Sequence, residues 1–293
     1  MIESLRYTWR VGKKAKSVRD VLAFAQADRK LAEIDPAARP LAPAKKGKLA
    51  RRLVKDATRI AALQDRLWAE AAVGGSRSVL LVLQGTDTAG KGGTTEHVIT
   101  ACGPIGVQYT GFKKPTPEEL RHDFLWRIER RLPPPGVLGI FDRSHYEDVV
   151  VPRVHNLIPS AECEARYAKI NAFERGLAAR GTTLIKVFLH ISYDTQRKRL
   201  LARLDTPEKR WKFNEADLAE RALWPRYQDA FQAMLEHCDT PHAPWFVVPS
   251  DSKKYRNWAV GRLVLETLEK LDPHYPDVDL DVADLRERLA APN

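Results

Sequence analysis

The run Ser78-Val-Leu-Leu-Val-Leu-Gln84 passes without a break into Gly85-Thr-Asp-Thr-Ala-Gly-Lys91, and no other feature so narrows what the chain can fold into. A nearly continuous apolar run of this length predicts a strand buried on both faces, as in a parallel sheet. The glycines that follow let backbone N–H groups converge, and the next stretch is compatible with a helix whose positive end faces the same point. A strand, loop and helix in that order cradle phosphate. Gly85, Thr88, Ala89, Gly90, Gly92 and Gly93 are therefore expected to line a phosphate site, and Lys91 to add a mobile charge. The plainer reading, a tight βα turn without a ligand, leaves the lysine and the spacing unexplained.

Short β-branched or aromatic runs recur at Gly106 to Phe112, Val137 to Phe141, Thr183 to His190 and Trp245 to Pro249, separated by helical stretches. With the first strand they predict βαβ units and an α/β fold around a mostly parallel five-stranded sheet. Leu53, Ala57, Ile60, Ala61, Leu67 and Trp68 fall largely at helical spacing and predict an amphipathic helix from Leu49 to about Val73, ended by Gly74-Gly75. Thr116-Pro117-Glu118-Glu119 carries a cap, a proline at the first helical position and two first-turn acids. Ser160 opens another helix, Asn214 a long one to about Cys238, and Asp251-Ser252 the last major one. Pro225 predicts a kink or break near Leu223-Trp224. Residues 1–48, basic and interrupted by Pro36, Pro40 and Pro43, read as an extension without a packed unit, and 49–293 as the main domain.

A chain of 293 residues, 44% hydrophobic, can bury a substantial core. Its formal charge of +10 is concentrated near the start, through Lys13, Lys14, Lys16, Lys45, Lys46, Lys48, Arg51 and Arg52. Such a field suits a polyanion without choosing among nucleic acid, acidic membrane, nucleotide and polyphosphate. Cys102, Cys163 and Cys238 have no metal or disulfide spacing and read as small buried residues. No stretch approaches the roughly 18 apolar residues that span a bilayer, so a soluble, cytoplasmic protein is expected.

The phosphate loop departs from the usual pattern in two places. Gly92 stands where a Ser or Thr normally ligates magnesium, and the nearest hydroxyls are on Thr94 and Thr95. Asp87 lies inside the loop, where a carboxylate makes sense if it holds a metal ion or orients an acceptor phosphate through one; otherwise it hydrogen-bonds loop amides. A second cluster, Val137-Leu-Gly-Ile-Phe-Asp142-Arg143-Ser144-His145-Tyr146-Glu147-Asp148, puts an acid at a strand end, where magnesium is held in P-loop enzymes, with an arginine beside it able to grip phosphate. Glu147 and Asp148 are either part of that site or solvated acids, and His145 reads better as a hydrogen-bonding residue than as a phosphorylated nucleophile. A third stretch, Arg197-Lys198-Arg199, Arg203, Lys209-Arg210, Lys212, Asp217 and Arg221, surrounds a helix-breaking loop and suits a lid at about 194–225. Arg199 and Arg203 share a helix face.

Together with Phe112-Lys-Lys-Pro115, His122-Asp-Phe-Leu-Trp-Arg127, Lys209-Arg-Trp-Lys-Phe213, Ala243-Pro-Trp245 and Ser250-Asp-Ser-Lys253, these motifs make the chain resemble the second family of polyphosphate kinases. The resemblance covers about residues 50–272 and implies a thymidylate-kinase-like three-layer sandwich with a helical lid, dependence on Mg2+ or Mn2+, and polyphosphate threaded through a basic channel. It places Asp87 and Asp142 at the metal and acceptor phosphate, and Lys91 and Arg143 on phosphates, with Arg203 and Asp217 in the lid. Glu147, Arg199, Lys209 and Lys212 are expected to help bind substrate. The implied reaction moves phosphoryl groups between polyphosphate and ADP, or AMP or guanine nucleotides. Glu147 and the His122 to Arg127 region resemble the group accepting both AMP and ADP, whereas Asp142 resembles the diphosphate-preferring one. A homodimer or homotetramer is implied, with no membrane and no specific nucleic-acid partner. Two other classes stay open from the residues alone: an ATP-dependent nucleoside monophosphate kinase and a non-catalytic polyanion-binding protein.

Overall fold

The computed structural model describes residues 17–24, 30–43 and 47–290. One all-parallel sheet contains β1 (Ser78–Gln84), β2 (Val107–Gly111), β3 (Leu138–Asp142), β4 (Thr182–His190) and β5 (Trp245–Pro249), in the spatial order β2-β3-β1-β4-β5. Side chains alternate between two cores, as strand geometry requires. Val79, Leu81 and Leu83 enter one core with the helices Lys48–Ala72, Lys91–Cys102 and Lys253–Leu271; Leu80 and Val82 enter the other with Ser160–Ala179 and Trp224–Cys238. This is a three-layer sandwich, and burial on both faces is why β1 reads as an unbroken apolar run.

The strand order positions the site. β1 is central, with β3 on one side and β4 on the other, and the crevice outside the carboxyl ends of such strands is where an open parallel sheet admits a ligand. The glycine loop follows β1, Asp142 ends β3, and the basic helix Tyr193–Leu204 follows β4.

Local signals account for some helix ends. Ser252 caps the helix Lys253–Leu271 through Tyr255 N–H, and the chain breaks at Leu223 between Ala216–Ala222 and Trp224–Cys238, with Pro225 in the first turn of the second. The Thr116 signal is real but short-lived. Thr116 and Glu119 exchange hydrogen bonds as a capping box, yet only the single 3-10 turn Glu119–Arg121 follows.

The described parts of residues 1–48 lie as a strap against the main domain. Val18, Val21 and Leu22 are buried by a short helix that Ser17 caps, and Phe24 N–H reaches the Trp245 carbonyl at the start of β5. Leu31 and Ile34 enter the second core. These anchors are too brief to show periodicity between prolines. Lys13, Lys14, Lys16, Lys45 and Lys46 lie outside the described residues. Among those described, no helix is long and apolar enough to cross a membrane, and the three cysteines are buried and unpaired.

Candidate active site

The loop after β1 is built by exclusion. Gly85 and Gly90 take φ of +146° and +111°; a Cβ on Gly85 would stand 2.7 Å from the Leu189 carbonyl oxygen, and one on Gly90 1.7 Å from the Arg256 guanidinium. Only glycine fits either place. Arg256, buried in the first turn of Lys253–Leu271, donates to the Ala89 carbonyl. Arg199 braces the same loop: one guanidinium nitrogen donates to the Thr88 and Ala89 carbonyls (2.8 and 3.0 Å) and the other to Ser250 and Asp251. Arg199 ties the loop to the end of β5, and it is Arg203 that faces the site.

Lys91 opens the following helix and bends back, its Nζ donating to the Gly85 (2.7 Å) and Thr86 carbonyls. Burial lowers its pKa, and the nearby Arg143 charge lowers it further. Gly92 meets nothing within 4 Å, so its lack of a side chain leaves open space beside the loop. The hydroxyls of Thr94 and Thr95 are buried without hydrogen-bond partners.

β3 delivers the second half of the site, since Asp142 pairs in register with Leu83 immediately before the loop. Arg143 leaves the strand in the left-handed region (φ 66°), which is costly for a residue with a Cβ. Its N–H still reaches the Leu83 carbonyl, and its guanidinium turns to Asp87 (3.0 Å) and Glu147 (3.6 Å). Burial raises the Asp87 carboxyl, but the charges of Lys91, Arg143 and Arg203 outweigh it and hold the group below the usual carboxylate range. Glu147 goes the other way, because burial raises its carboxyl more than Arg143 and Lys91 lower it. With its amide turned to satisfy both neighbours, Gln84 donates to Glu147 (2.9 Å) and accepts from Ser144.

Over this floor stand the helix Tyr193–Leu204, the turn Pro207–Lys212 and the helix Ala216–Ala222. Arg203 lies 3.8 Å from Asp217 and donates to the Lys212 carbonyl. The Asp217 carboxyl is raised by burial and then by the Asp87 charge. Lys209 and Lys212 are exposed, the latter over the ring of the exposed Trp211. Among the described residues no three His, Cys, Asp or Glu side chains gather closely enough to hold a metal by themselves. Magnesium takes most of its oxygens from water and phosphate and needs only one or two carboxylates. Asp87 and Asp142, which act on the same Lys91 and Arg143 charges, offer that donor set.

Comparison with known proteins decides the family. The model of the family described as polyphosphate kinase 2 matches residues 44–276. The chain belongs to the polyphosphate kinase 2 family. An AMP/ADP-polyphosphate phosphotransferase of Meiothermus ruber is 50% identical over 74% of this chain and 80% of its own. An ADP-polyphosphate phosphotransferase of Rhodopseudomonas palustris is 42% identical over 75% and 78%. The crystal structure of polyphosphate kinase 2 from Arthrobacter aurescens superposes with a TM-score of 0.91 at 48% identity, covering 94% of this chain and 97% of that one. The P-loop kinase-like fold expected from the motifs is thus shown.

Gln196, Glu174 and Lys186, which help shape this polyphosphate kinase site, were not singled out from the sequence, and Arg127 was given no contact there. Gln196 donates to the Asp87 carbonyl and accepts from Arg221. Arg127, buried, joins the loop after β2 to the Asp142 turn by donating to the Lys113 carbonyl and to Asp148 (both 2.9 Å). His145 and Tyr146 point into the core, where Glu174 accepts from the Tyr146 hydroxyl (2.7 Å), contacts the His145 ring (3.2 Å) and pairs with Lys186 (2.7 Å). All four side chains are fully buried, which removes His145 from contention as a nucleophile. A lysine inside an apolar strand is the one signal that could have exposed this network, since a buried charge demands a partner. Beside Arg127 and Asp148 lies a cavity of about 390 Å3, reached also by His122 and Lys169.

Proposed function

We propose that the protein transfers phosphoryl groups between inorganic polyphosphate and a nucleoside diphosphate or monophosphate by direct in-line displacement. The observation that carries this reading is Asp87, an acid inside a phosphate loop, held below the usual carboxylate range by Lys91, Arg143 and Arg203. A site for one triphosphate gains nothing from an added negative charge. A site that brings two phosphate chains end to end gains a way to hold the cation between them. Magnesium at Asp87 and Asp142 would supply that charge and offset the repulsion of the two chains.

In the proposed step a terminal phosphate oxygen of the nucleotide attacks the terminal phosphorus of polyphosphate. The new P–O bond forms as the bridging P–O bond breaks, and the shortened chain leaves with that oxygen as its new end. No proton transfer to the protein is required. Lys91 exchanges the Gly85 and Thr86 carbonyls for phosphate oxygens, while Arg143 and Arg203 stabilise the equatorial oxygens of the group in flight. Exposed Lys209 and Lys212 guide the longer chain, and the cavity beside Arg127 takes the nucleoside end.

The test is turnover of purified protein with magnesium, ADP and long-chain polyphosphate. ATP must appear without a second nucleotide; ATP formed only when another nucleoside triphosphate is added would assign an ordinary monophosphate kinase instead. Running AMP, ADP, GMP and GDP as acceptors under the same conditions fixes the substrate class.

A further inference from the structure

The helix Tyr193–Leu204 turns one face to the phosphate loop, along which Gln196, Arg199 and Arg203 fall at i, i+3 and i+7. Gln196 Nε2 donates to the Asp87 carbonyl (3.3 Å), and Arg199 to the Thr88 and Ala89 carbonyls, so three consecutive peptide groups are held from outside the loop. The grip matters because Thr88 has φ of 63°, a left-handed conformation that a β-branched residue keeps only when its surroundings impose it. In a trans peptide the N–H points away from the C=O. Pinning the Asp87 carbonyl to the helix therefore leaves the Thr88 N–H facing away from it, and also fixes the backbone from which the Asp87 carboxylate projects.

Gln196 does not act alone. Its Oε1 accepts from Arg221 Nη1 (2.6 Å), the same nitrogen donates to the Tyr193 carbonyl (2.9 Å), and the guanidinium lies 3.4 Å over the Tyr193 ring. Tyr193 in turn meets Trp224 edge-on. Arg221 belongs to the helix Ala216–Ala222, one turn after Asp217, so the lid helix that meets Arg203 through Asp217 also reaches the loop through Gln196. Bond directions dictate the residue type. A backbone carbonyl only accepts and a guanidinium only donates, so the side chain between them must donate at one end and accept at the other, which an amide does and a carboxylate cannot. Gln196 is 5% exposed, which shields both bonds from competing water.

We propose that Gln196 and Arg221 are positioning residues that couple the seating of the lid helix Ala216–Ala222 to the geometry of the Asp87–Thr88 peptide. They act through Asp87 rather than on the transferring group. With the lid helix seated, Arg221 holds Gln196, Gln196 holds the Asp87 carbonyl, and the Asp87 carboxylate stands against Arg143 (3.0 Å). When the helix lifts, Gln196 loses the partner that orients its amide, and the strained peptide relaxes. The loop thus takes its working geometry only under a seated lid. The kinetic side of this coupling rests on the phosphoryl-transfer reading above, whereas the loop's geometry is measurable without turnover.

The test compares Gln196→Met, Gln196→Glu, Arg221→Met and the double variant Gln196→Met/Arg221→Met in the full chain. Methionine keeps the volume of Gln196 and an apolar stem over the Tyr193 ring. Gln196→Glu keeps the acceptor for Arg221 but sets an oxygen against the Asp87 carbonyl, so it answers even where a methionine variant loosens the fold. Each single variant should lower kcat about tenfold or more with KM for ADP nearly unchanged. In the double variant Arg221→Met should add no loss to that of Gln196→Met, because Arg221 acts through Gln196. Hydrogen exchange followed by mass spectrometry, with neither substrate present, should quicken across residues 85–90 in every variant and stay unchanged in β1 and β4. That result stands whether or not polyphosphate proves to be the donor. Gln196→Glu at the parent's kcat, losses that multiply in the double variant, or loop exchange in Arg221→Met that matches the parent's would overturn the proposal.

Discussion

Lys186→Met tests whether the buried network beneath the Asp142 turn is structural filling or the support that holds Arg143. Lys186 Nζ reaches Glu174 Oε2 (2.7 Å), the Tyr146 hydroxyl (2.8 Å) and the Cys238 carbonyl (2.6 Å), and both charged side chains are fully buried. Removing the cation leaves a carboxylate with no counter-charge in the core, a loss of roughly 3–5 kcal/mol. At about 2–4 °C per kcal/mol, the melting temperature should fall by about 6–20 °C. Glu174→Gln should lose a similar amount. The double variant carries no unpaired charge, so it should lose less than the sum of the two, with a coupling of about 1–3 kcal/mol from urea melts. The sign with pH follows from Glu174, whose carboxyl burial raises but Lys186 and His145 lower by more, leaving it depressed. Its contribution is complete above the ordinary carboxylate value of about 4.3 and disappears as pH falls through the lower folded value. Because His145 and Tyr146 lie two and three residues after Arg143, each single variant should also lower kcat well below its melting temperature. Single variants within about 1 kcal/mol of the parent, or strictly additive losses, would refute the reasoning.

Three further outcomes are expected. Asp87→Asn keeps the loop's shape but removes the charge between Lys91 and Arg143, so polyphosphate-driven ATP formation should drop by roughly two orders of magnitude or more with little change in melting; near-parent rates would remove Asp87 from the mechanism. Gly90→Ala places a Cβ against Arg256 at φ +111°, whereas Gly92→Ala meets nothing within 4 Å; the first should cost roughly 1–3 kcal/mol and the second almost nothing, as read by thermal melts. His190, whose ring donates to the Ile34 carbonyl, is pushed by burial down to about 4. A folded value below the unfolded one means stability is lost as pH falls from about 6.5 to 4, by about 3 kcal/mol in all, and His190→Gln should flatten that part of the stability profile.

What the sequence disclosed and what it hid divide along physical lines. β1 and its loop were legible because burial on both faces and tight turning each force a residue type that nothing else explains: unbroken apolar side chains, then Gly85 and Gly90 where no Cβ fits. Asp142 was legible because a strand's carboxyl end is fixed by its apolar run. The bracing contacts of Arg199 were hidden for the opposite reason. Its charge and helical spacing are those of a phosphate ligand, and only the fold shows that backbone carbonyls of two loops saturate it. The same limit hid Gln196 and Arg256, whose roles depend on contacts more than 100 residues away in the chain. The short anchors Val18, Val21, Leu22, Leu31 and Ile34 were lost among prolines and lysines, since a strap needs only a few apolar side chains and no period. The residues that create an active site's charge could therefore be found by type, whereas those that aim it had to be found by contact. Arg143 joins the two classes: its side chain was expected at phosphate, but its left-handed backbone leads into Tyr146, whose hydroxyl meets Glu174 and Lys186, which share no motif with it.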